Sequence, residues 1–472
     1  MTRTRMTAVD RAWLRMESTE NPMMIGVVLV FDQPISLKRF RHLLEERFLR
    51  FRRFRQRVVQ SGDRAWWQDD PYFSLDNHLH ITGLPGKAGQ NELQALASDL
   101  NSTPLNPQRP LWQIHFVENY GEGCALIVRI HHCIADGISL VRVLLALTDD
   151  EPDSNLYQLP TRPQQTPDRG KRLASASREM RNTADAGIQQ LRVFARNVAS
   201  KRGYPLQLLK TSGKIGMECL KLGLSPSDPD TRLKGSLSGR KLVAWADPMP
   251  LSDIKNTARA LRGTVNDVLM SAATGAIHQY LHDQHEPPPD SGIRVAVPFN
   301  LRPLRQPVET LGNQFGLVLV PLPIDESCPR MRFHQVQENM NRLKRSWQAQ
   351  VTYSLLDLFG RGPDMLERRA IQLLSSKASA VLTNVPGPKK PVYLAGARMS
   401  QPMFWVPQTG GIGIGLSIFT YADTVQFGII VDRKLKVDPQ RVIAAFNQSI
   451  ADLQAAAGSP KTYPEVERRR AT

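Results

Sequence analysis

Apolar positions recur with two periods along the chain, and each change of period marks an element. Met23 to Phe31 (MMIGVVLVF) is an almost unbroken apolar run, the mark of a buried strand. Leu37 to Phe51 (LKRFRHLLEERFLRF) instead spaces Phe40, Leu43, Leu44, Phe48 and Phe51 three or four apart, which predicts a helix. RQRVVQ and RAWWQ, at 55–60 and 64–68, read as short paired strands. NELQALASDLNSTPL predicts a helix that ends near Asn101 and is closed by Pro104. Leu111 to Val117 alternates as a strand, Gly121-Glu122-Gly123 turns, and Cys124 to Ile130 returns, which predicts a hairpin. A turn at Gly137 and Ser139 precedes a helix over Leu140 to Leu147.

From Pro152 to about Gly239 the pattern changes. PTRPQQTPDRGKR is loop-like. Lys171 to Leu224 is basic and permits helix, with Ile188, Leu191, Phe194 and Val198 at helical spacing. This stretch reads as a surface connector. The mixed pattern then resumes, with helices over Asp253–Leu261, Thr264–His282, Phe333–Gln348 and Pro439–Ala456. Strands are expected at Ile293–Val297, at Leu317–Leu322, and at Ala380–Thr383, which runs into the turn NVPGP. GIGIGLSIFTYADTVQFGIIVD predicts two strands around a turn at Ala422-Asp423. Thr264 and Asp267, three apart, form a capping box at the start of their helix. The expected organisation is a first unit over 1–155, a basic, largely helical connector over 156–239, and a second unit over 240–472.

Charge narrows the partners. The 472 residues carry 61 Lys and Arg against 44 Asp and Glu, a net of +17. The 161–240 stretch holds 16 basic and 6 acidic residues, a net of +10. Such a surface suits nucleic acid, an anionic lipid surface or a phosphate-bearing ligand. No zinc spacing, aromatic RNA-binding signature or clear reading helix accompanies it, so nucleic acid is not expected. None of the cysteines, Cys124, Cys133, Cys219 and Cys328, forms a Cys-x-x-Cys pair, which argues against zinc and a disulfide framework. The N-terminal MTRTRMTAVDRAW lacks the apolar core of a signal peptide, and no apolar run approaches the ~20 residues that span a bilayer. A cytosolic protein that touches a membrane or lipid inclusion peripherally is the expectation.

The chemistry gathers in RIHHCIADGISL, Arg129 to Leu140. Leu126, Val128 and Ile130 share one face of their strand, and His132 continues that parity while His131 points away. A histidine at a strand end, with an acid four residues later, can be held in one tautomer and act as a general base. Two other readings compete: a satisfied histidine pair in a hairpin, and a metal site. Adjacent histidines on a strand point apart, which disfavours a shared ion.

The pattern His131-His132-x-x-x-Asp136-Gly137 resembles the motif of the coenzyme A-dependent acyltransferase superfamily. The finer resemblance is to the bacterial wax ester synthase/acyl-CoA:diacylglycerol acyltransferase family. It rests on VDRAWLRMESTENPMMIGVVLVF near the start, PLW at 110–112, and the histidine motif at 131–137. It continues through TVNDVLMSAATGAIHQYL at 264–281, VPFNLRP at 297–303, GNQFG at 312–316, TNVPGP at 383–388 and GLSIFTYADTVQFGIIVD at 415–432. Thr383 stands where the family usually has Ser.

The resemblance implies an α/β (α+β) protein of two chloramphenicol acetyltransferase-like lobes, each a mixed sheet flanked by helices, with a tunnel between them. It implies an O-acyltransferase that moves a long acyl chain from acyl-CoA to diacylglycerol or a long-chain alcohol. His132 would be the base, with acyl-CoA a substrate and no cofactor or metal needed. His131 would orient or pack. Asp136 would be structural, paired with an arginine, for which Arg55 and Arg57 are the candidates. Gly137 would let substrate approach the backbone. Asn266, in the first turn of its helix, would donate to the oxyanion, or merely cap that helix. The motif is also compatible with a condensation-domain-like enzyme using carrier-bound thioesters. The basic charge is compatible with a non-catalytic protein that coats lipid surfaces.

Overall fold

The computed structural model describes residues 3–62, 64–152, 223–301 and 311–458. Most of the expected 156–239 connector lies outside the described residues. The first half runs β1 (Arg3–Arg5), α1 (Ala8–Arg15), β2 (Met24–Phe31) and α2 (Leu37–Leu43), which continues through a π turn at Leu44–Phe48. A 3-10 turn at Arg52–Arg55 leads to β3 (Gln56–Ser61) and β4 (Arg64–Asp69), then β5 (Leu79–Thr82) and α3 (Gln90–Asn101). The hairpin β6 (Trp112–Tyr120) and β7 (Gly123–His131) precedes α4 (Gly137–Leu147).

The second half begins with β8 (Lys241–Trp245), β9 (Met249–Pro250), α5 (Leu251–Ala260) and α6 (Val265–Asp283). There follow β10 (Ile293–Asn300), β11 (Phe315–Leu322), α7 (Pro329–Lys344), α8 (Gln348–Arg361) and α9 (Asp364–Ser375). The chain closes with β12 (Ala380–Pro386), β13 (Tyr393–Leu394), β14 (Ala397–Trp405), β15 (Ile414–Tyr421), β16 (Thr424–Asp432) and α10 (Pro439–Gly458).

Two large mixed sheets result, as the mixed pattern predicts. One has the order β13-β14-β2-β7-β6-β5, and the other β11-β10-β12-β15-β16-β8 with β9 also on β16. β5–β6, β10–β12 and β12–β15 pair parallel and the remaining neighbours antiparallel. The β15–β16 hairpin turns at Ala422 and Asp423, both at positive φ, as a two-residue turn that matches strand twist requires. A small β1-β4-β3 sheet flanks the first lobe. Each lobe has its own apolar core.

Two features depart from the pattern reading. β13 and β14 belong to the second half of the chain yet extend the first sheet, β14 pairing with β2 from Phe31↔Met399 to Gly26↔Trp405. The lobes are therefore interlocked by a strand rather than joined at one linker. The single helix expected over Phe333–Gln348 is instead the end of α7, a break at 345–347, and the start of α8. The break redirects α8 so that Ala349 and Val351 are buried near β11, with the Thr352 hydroxyl accepting from Leu317 N–H at 2.8 Å. α8 also packs on α1. A Cβ at Gly360 would collide with the Ala8 carbonyl, so glycine permits this approach, and Arg11 Nε donates to the Gly360 carbonyl at 2.6 Å.

Candidate active site at the histidine pair

The backbone of the motif is held from both sides. His131 N–H donates to the Leu111 carbonyl at 2.9 Å, and His132 N–H donates to the Met23 carbonyl at 2.7 Å. Cys133, Ile134 and Ala135 are fully buried, so the turn after the strand is part of the core. Asp136 caps α4: one carboxylate oxygen accepts from Ser139 N–H at 2.8 Å and from its hydroxyl at 2.7 Å. The helix consequently starts at Gly137, three residues before the predicted Leu140. The other Asp136 oxygen accepts from Gln314 N–H at 3.0 Å, and Asp136 N–H donates to the Gly312 carbonyl at 3.3 Å. Asp136 thus fixes the turn and ties the two halves of the chain together.

The expected pairing of Asp136 with Arg55 or Arg57 needs correction. Among the described residues neither forms an ion pair with it: Arg55 is exposed, and Arg57 is half-buried on β3 with its Nε unpartnered. The tight turn explains this, since residues three apart share a face of a 3-10 turn. Arg52 and Arg55 share the outer face, and Arg52 pairs with Asp69 at 2.6 Å. Arg53 and Gln56 share the inner one. It is Arg53 that reaches the site, lying 4.0 Å over the Trp67 ring with Nη1 3.8 Å from an Asp10 oxygen.

The two histidines have different surroundings. His131 uses both ring nitrogens: Nδ1 accepts from Cys133 N–H at 3.1 Å, and Nε2 lies 3.2 Å from a Glu17 oxygen that also accepts from Met23 N–H. Against the desolvation of a buried ring, the Cys133 sulfur and the Glu17 carboxylate push its pKa up to about 10. A second proton on Nδ1 would displace the Cys133 N–H, so that hydrogen bond works against the rise. His132 is stacked on Trp13, with centroids 4.2 Å apart and planes at 17°, and tilted against Phe315 at 5.4 Å. Its Nδ1 is buried without a hydrogen-bond partner. Burial pushes its pKa down to about 4, opposed by the Asp136 charge. At neutral pH this ring is neutral and keeps a lone pair.

A polar cluster sets the backbone under His132. The Asn313 side-chain amide donates to the His132 carbonyl at 2.8 Å and to an Asp10 oxygen at 2.9 Å, and Asn313 N–H donates to the same oxygen at 3.0 Å. Asp10 is fully buried, which raises its pKa, while Arg53 and the Asn313 bonds oppose that rise. α1 therefore supplies Asp10 beneath the motif and Trp13 against the catalytic candidate, and Glu17 follows just past its end. Sequence reasoning assigned no role to Asp10, Trp13, Glu17, Asn313 or Phe315. All five lie inside VDRAWLRMESTEN or GNQFG, and the three-residue spacing of Asp10 and Trp13 was a signal that they share a helix face.

Asn266 is not the cap of α6. Thr264 and Asp267 perform that role reciprocally, at 2.9 and 3.2 Å. Asn266 Oδ1 instead accepts from the Asn384 amide of β12 at 2.7 Å, which orients the Asn266 amide. No hydrogen bond joins Asn266 to His132. Thr383 to Pro386 of TNVPGP belong to β12, leaving only Gly387 and Pro388 beyond the strand, and Val385 lines a cavity described next.

Two cavities flank the motif. A wide one of about 650 Å³ is walled by Arg15–Ser18, by 234–237, by Asp364, Glu367 and Arg368 of α9, and by Thr409–Gly411. Glu17 connects it to His131. Burial and the nearby Asp364 raise the Glu367 pKa to about 7, against Arg15. A narrow one of about 120 Å³ is lined almost wholly by apolar side chains of β2, β7, α4, β14, β12 and β15, with Ile130 and Gly137 at the motif end. A Cβ at Gly137 would meet nothing within 4 Å and would project into open space. His132 lines neither cavity and is 4% exposed.

Comparison with known proteins places this geometry. Residues 6–269 match the wax ester synthase/diacylglycerol acyltransferase catalytic domain, and 311–454 match the WS/DGAT C-terminal domain. Two relatives from Mycobacterium tuberculosis H37Rv carry diacylglycerol O-acyltransferase names. One is 27% identical over 98% of both chains, and the other is 28% identical over 96% of this chain and 100% of the relative. The wax ester synthase/diacylglycerol acyltransferase structure from Marinobacter aquaeolei VT8 superposes with a TM-score of 0.67 at 21% identity, covering 97% of this chain and 100% of that one. The first condensation domain of the calcium-dependent antibiotic synthetase superposes with a TM-score of 0.62 at 15% identity, covering 97% of each chain. Both superpositions agree with the two-lobe fold.

Proposed function

Because the chain belongs to the wax ester synthase/diacylglycerol acyltransferase family and is an acyltransferase, we propose that His132 is its general base, acting on diacylglycerol or a long-chain alcohol with acyl-CoA as donor. The observation that carries this is the difference between the rings: His131 has both nitrogens engaged, while His132 is neutral, stacked and left with an unpartnered nitrogen. The His132 lone pair takes the hydroxyl proton as the oxygen attacks the thioester carbonyl. The tetrahedral oxyanion collapses, the ester C–O bond stands, and the C–S bond breaks. The imidazolium returns its proton to the departing thiolate, a leaving group that needs little assistance because thiols have pKa values near ~8.5. One proton moves out and back, and neither an acyl-enzyme nor a cofactor enters the scheme.

Asn266 is the donor proposed for the oxyanion. Asn384 occupies its carbonyl oxygen, so the NH₂ is the group left to point at developing charge, beside the positive end of α6. Trp13 and Phe315 hold the imidazole plane, and Asn313 fixes the carbonyl of the same residue.

Substrates this apolar reside in a lipid phase, and no described helix is long and apolar enough to cross a membrane. A peripheral seat is supported by α8 and α9, where Leu358, Met365, Leu366 and Leu373 are each more than half exposed. Arg368 and Arg369 lie among them, and anionic headgroups suit such a rim. The inner side of α9 borders the wide cavity that reaches Glu17. The test of the reaction is labelled palmitoyl-CoA offered with hexadecanol or diolein. Wax ester or triacylglycerol with release of free CoA is the expected result. Turnover only with carrier-bound thioesters, or none with either acceptor, would remove this reading.

A further inference from the structure

We propose that the narrow cavity along α4 is the slot for the acyl chain of the donor, and that Phe40 and Leu144 set the chain length it accepts. This rests on the acyl-transfer reading above.

The register of the surrounding strands gives the slot a direction. β2 and β7 pair with Met24 opposite His131, Ile25 opposite Ile130, Val27 opposite Val128 and Leu29 opposite Leu126. Ile25 and Ile130 are therefore at the motif end, and Leu29 and Leu126 are at the far end. α4 runs the same way, placing Gly137, Leu140, Leu144 and Leu147 along the wall in that order. Phe40 packs on Phe116, whose β7 partner is Leu126, so Phe40 closes the far end. Phe48 packs on Trp112, whose partner is Ile130, and stands near the mouth.

The length can be estimated. Ten residues of α4 separate Gly137 from Leu147, which at ~1.5 Å per residue is about 15 Å. An extended backbone advances ~3.5 Å over three bonds, or about 1.2 Å per bond, so the α4 wall is as long as roughly twelve chain bonds, while the void of about 120 Å³ holds about four methylene-sized groups until lining side chains such as Leu144 move aside. Its lining offers no charge and almost no polar surface, so nothing along it would bind a headgroup. Gly137 keeps the entrance open beside the turn that carries His132. Diacylglycerol brings two chains and an alcohol brings one, whereas the donor always brings one. A single-file slot suits the component common to both reactions.

The experiment compares kcat/KM for hexanoyl- and palmitoyl-CoA in the full-length enzyme with acceptor fixed, then varies acceptor length with donor fixed. Leu144→Trp projects an indole across the middle of the slot, and the palmitoyl-to-hexanoyl ratio is expected to fall at least tenfold. Phe40→Ala removes the end wall, and the preferred donor is expected to lengthen by two to four carbons. Should Phe40→Ala not fold, Leu140→Trp replaces it, with a larger fall in the ratio because it blocks nearer the mouth. An unchanged ratio, an equal loss at both donor lengths, or a change confined to acceptor length would each overturn the slot. Those outcomes leave wild-type transfer intact. Absence of transfer from acyl-CoA of any length in the wild type is instead the failure of the underlying reaction, and the slot falls with it.

Discussion

The two sides of the histidine pair sit one residue apart and are built on opposite principles. On the His131 side both ring nitrogens have partners, the ring bridging the Cys133 backbone to Glu17 at the edge of a wide cleft with charged walls. On the His132 side the ring meets aromatic faces and one nitrogen is unpartnered, and the cavity that begins at Ile130 and Gly137 is apolar. A satisfied buried group rigidifies a structure, whereas an unsatisfied one costs stability and is retained where it serves chemistry. The comparison supports the proposed assignment of His131 to positioning and His132 to reaction without reference to their order in the motif.

The strongest way to break this comparison is His132→Ala. Transfer from palmitoyl-CoA should fall by ~10³ in kcat/KM, within the range of general-base contributions, while the circular dichroism spectrum stays that of the wild type. Retained turnover would transfer the base role elsewhere. Asn266→Ala should lower kcat by ~10² with KM little changed, since an oxyanion donor acts in the transition state. A wild-type kcat would leave Asn266 as a strap for Asn384 only.

The next test is stability against pH. The His132 pKa is about 4 in the fold and ordinarily near 6.5, so between these values the unfolded chain binds more protons. The contribution is fully present above pH ~6.5 and is lost as pH falls through about 4, where the cumulative loss is about 3 kcal/mol. Denaturant midpoints at pH 7, 5.5 and 4.5 should show this decline in the wild type and a shallower one in His132→Ala. Equal slopes would mean the ring titrates normally. The smallest effect on rate is expected for His131→Ala. It leaves the Cys133 N–H and Glu17 without their partner and should lower stability by roughly 1–3 kcal/mol, with kcat/KM within tenfold of wild type. A rate loss matching His132→Ala at unchanged stability would collapse the distinction between the rings.

Local features of the fold were legible in the sequence because they rest on local chemistry. The strand at Met23–Phe31, the β6–β7 hairpin, the Thr264 capping box and the Ala422-Asp423 turn all follow from residue type and spacing. The start of α4 was also readable, since Asp136 with Ser139 three residues on is a capping pattern. What escaped depends on contacts distant in sequence. β14 joins the first sheet from the second half, and only its pairing with β2 reveals it. Arg53 rather than Arg55 or Arg57 faces the site because of a 3-10 turn at Arg52–Arg55, which lies between the expected helix and the expected strand and has no apolar period to announce it. The Asp10–Asn313–His132 cluster joins residues some three hundred positions apart. The slot beside Gly137 is formed by five or more elements, and no periodicity reports a void.

The most direct test of the central claim is a pH titration of the His132 ring, followed by its nitrogen and carbon resonances in histidine-labelled protein, with His132→Ala supplying the assignment. The ring should be neutral and singly protonated at pH 7 and titrate near pH 4. An imidazolium at pH 7 would contradict that claim.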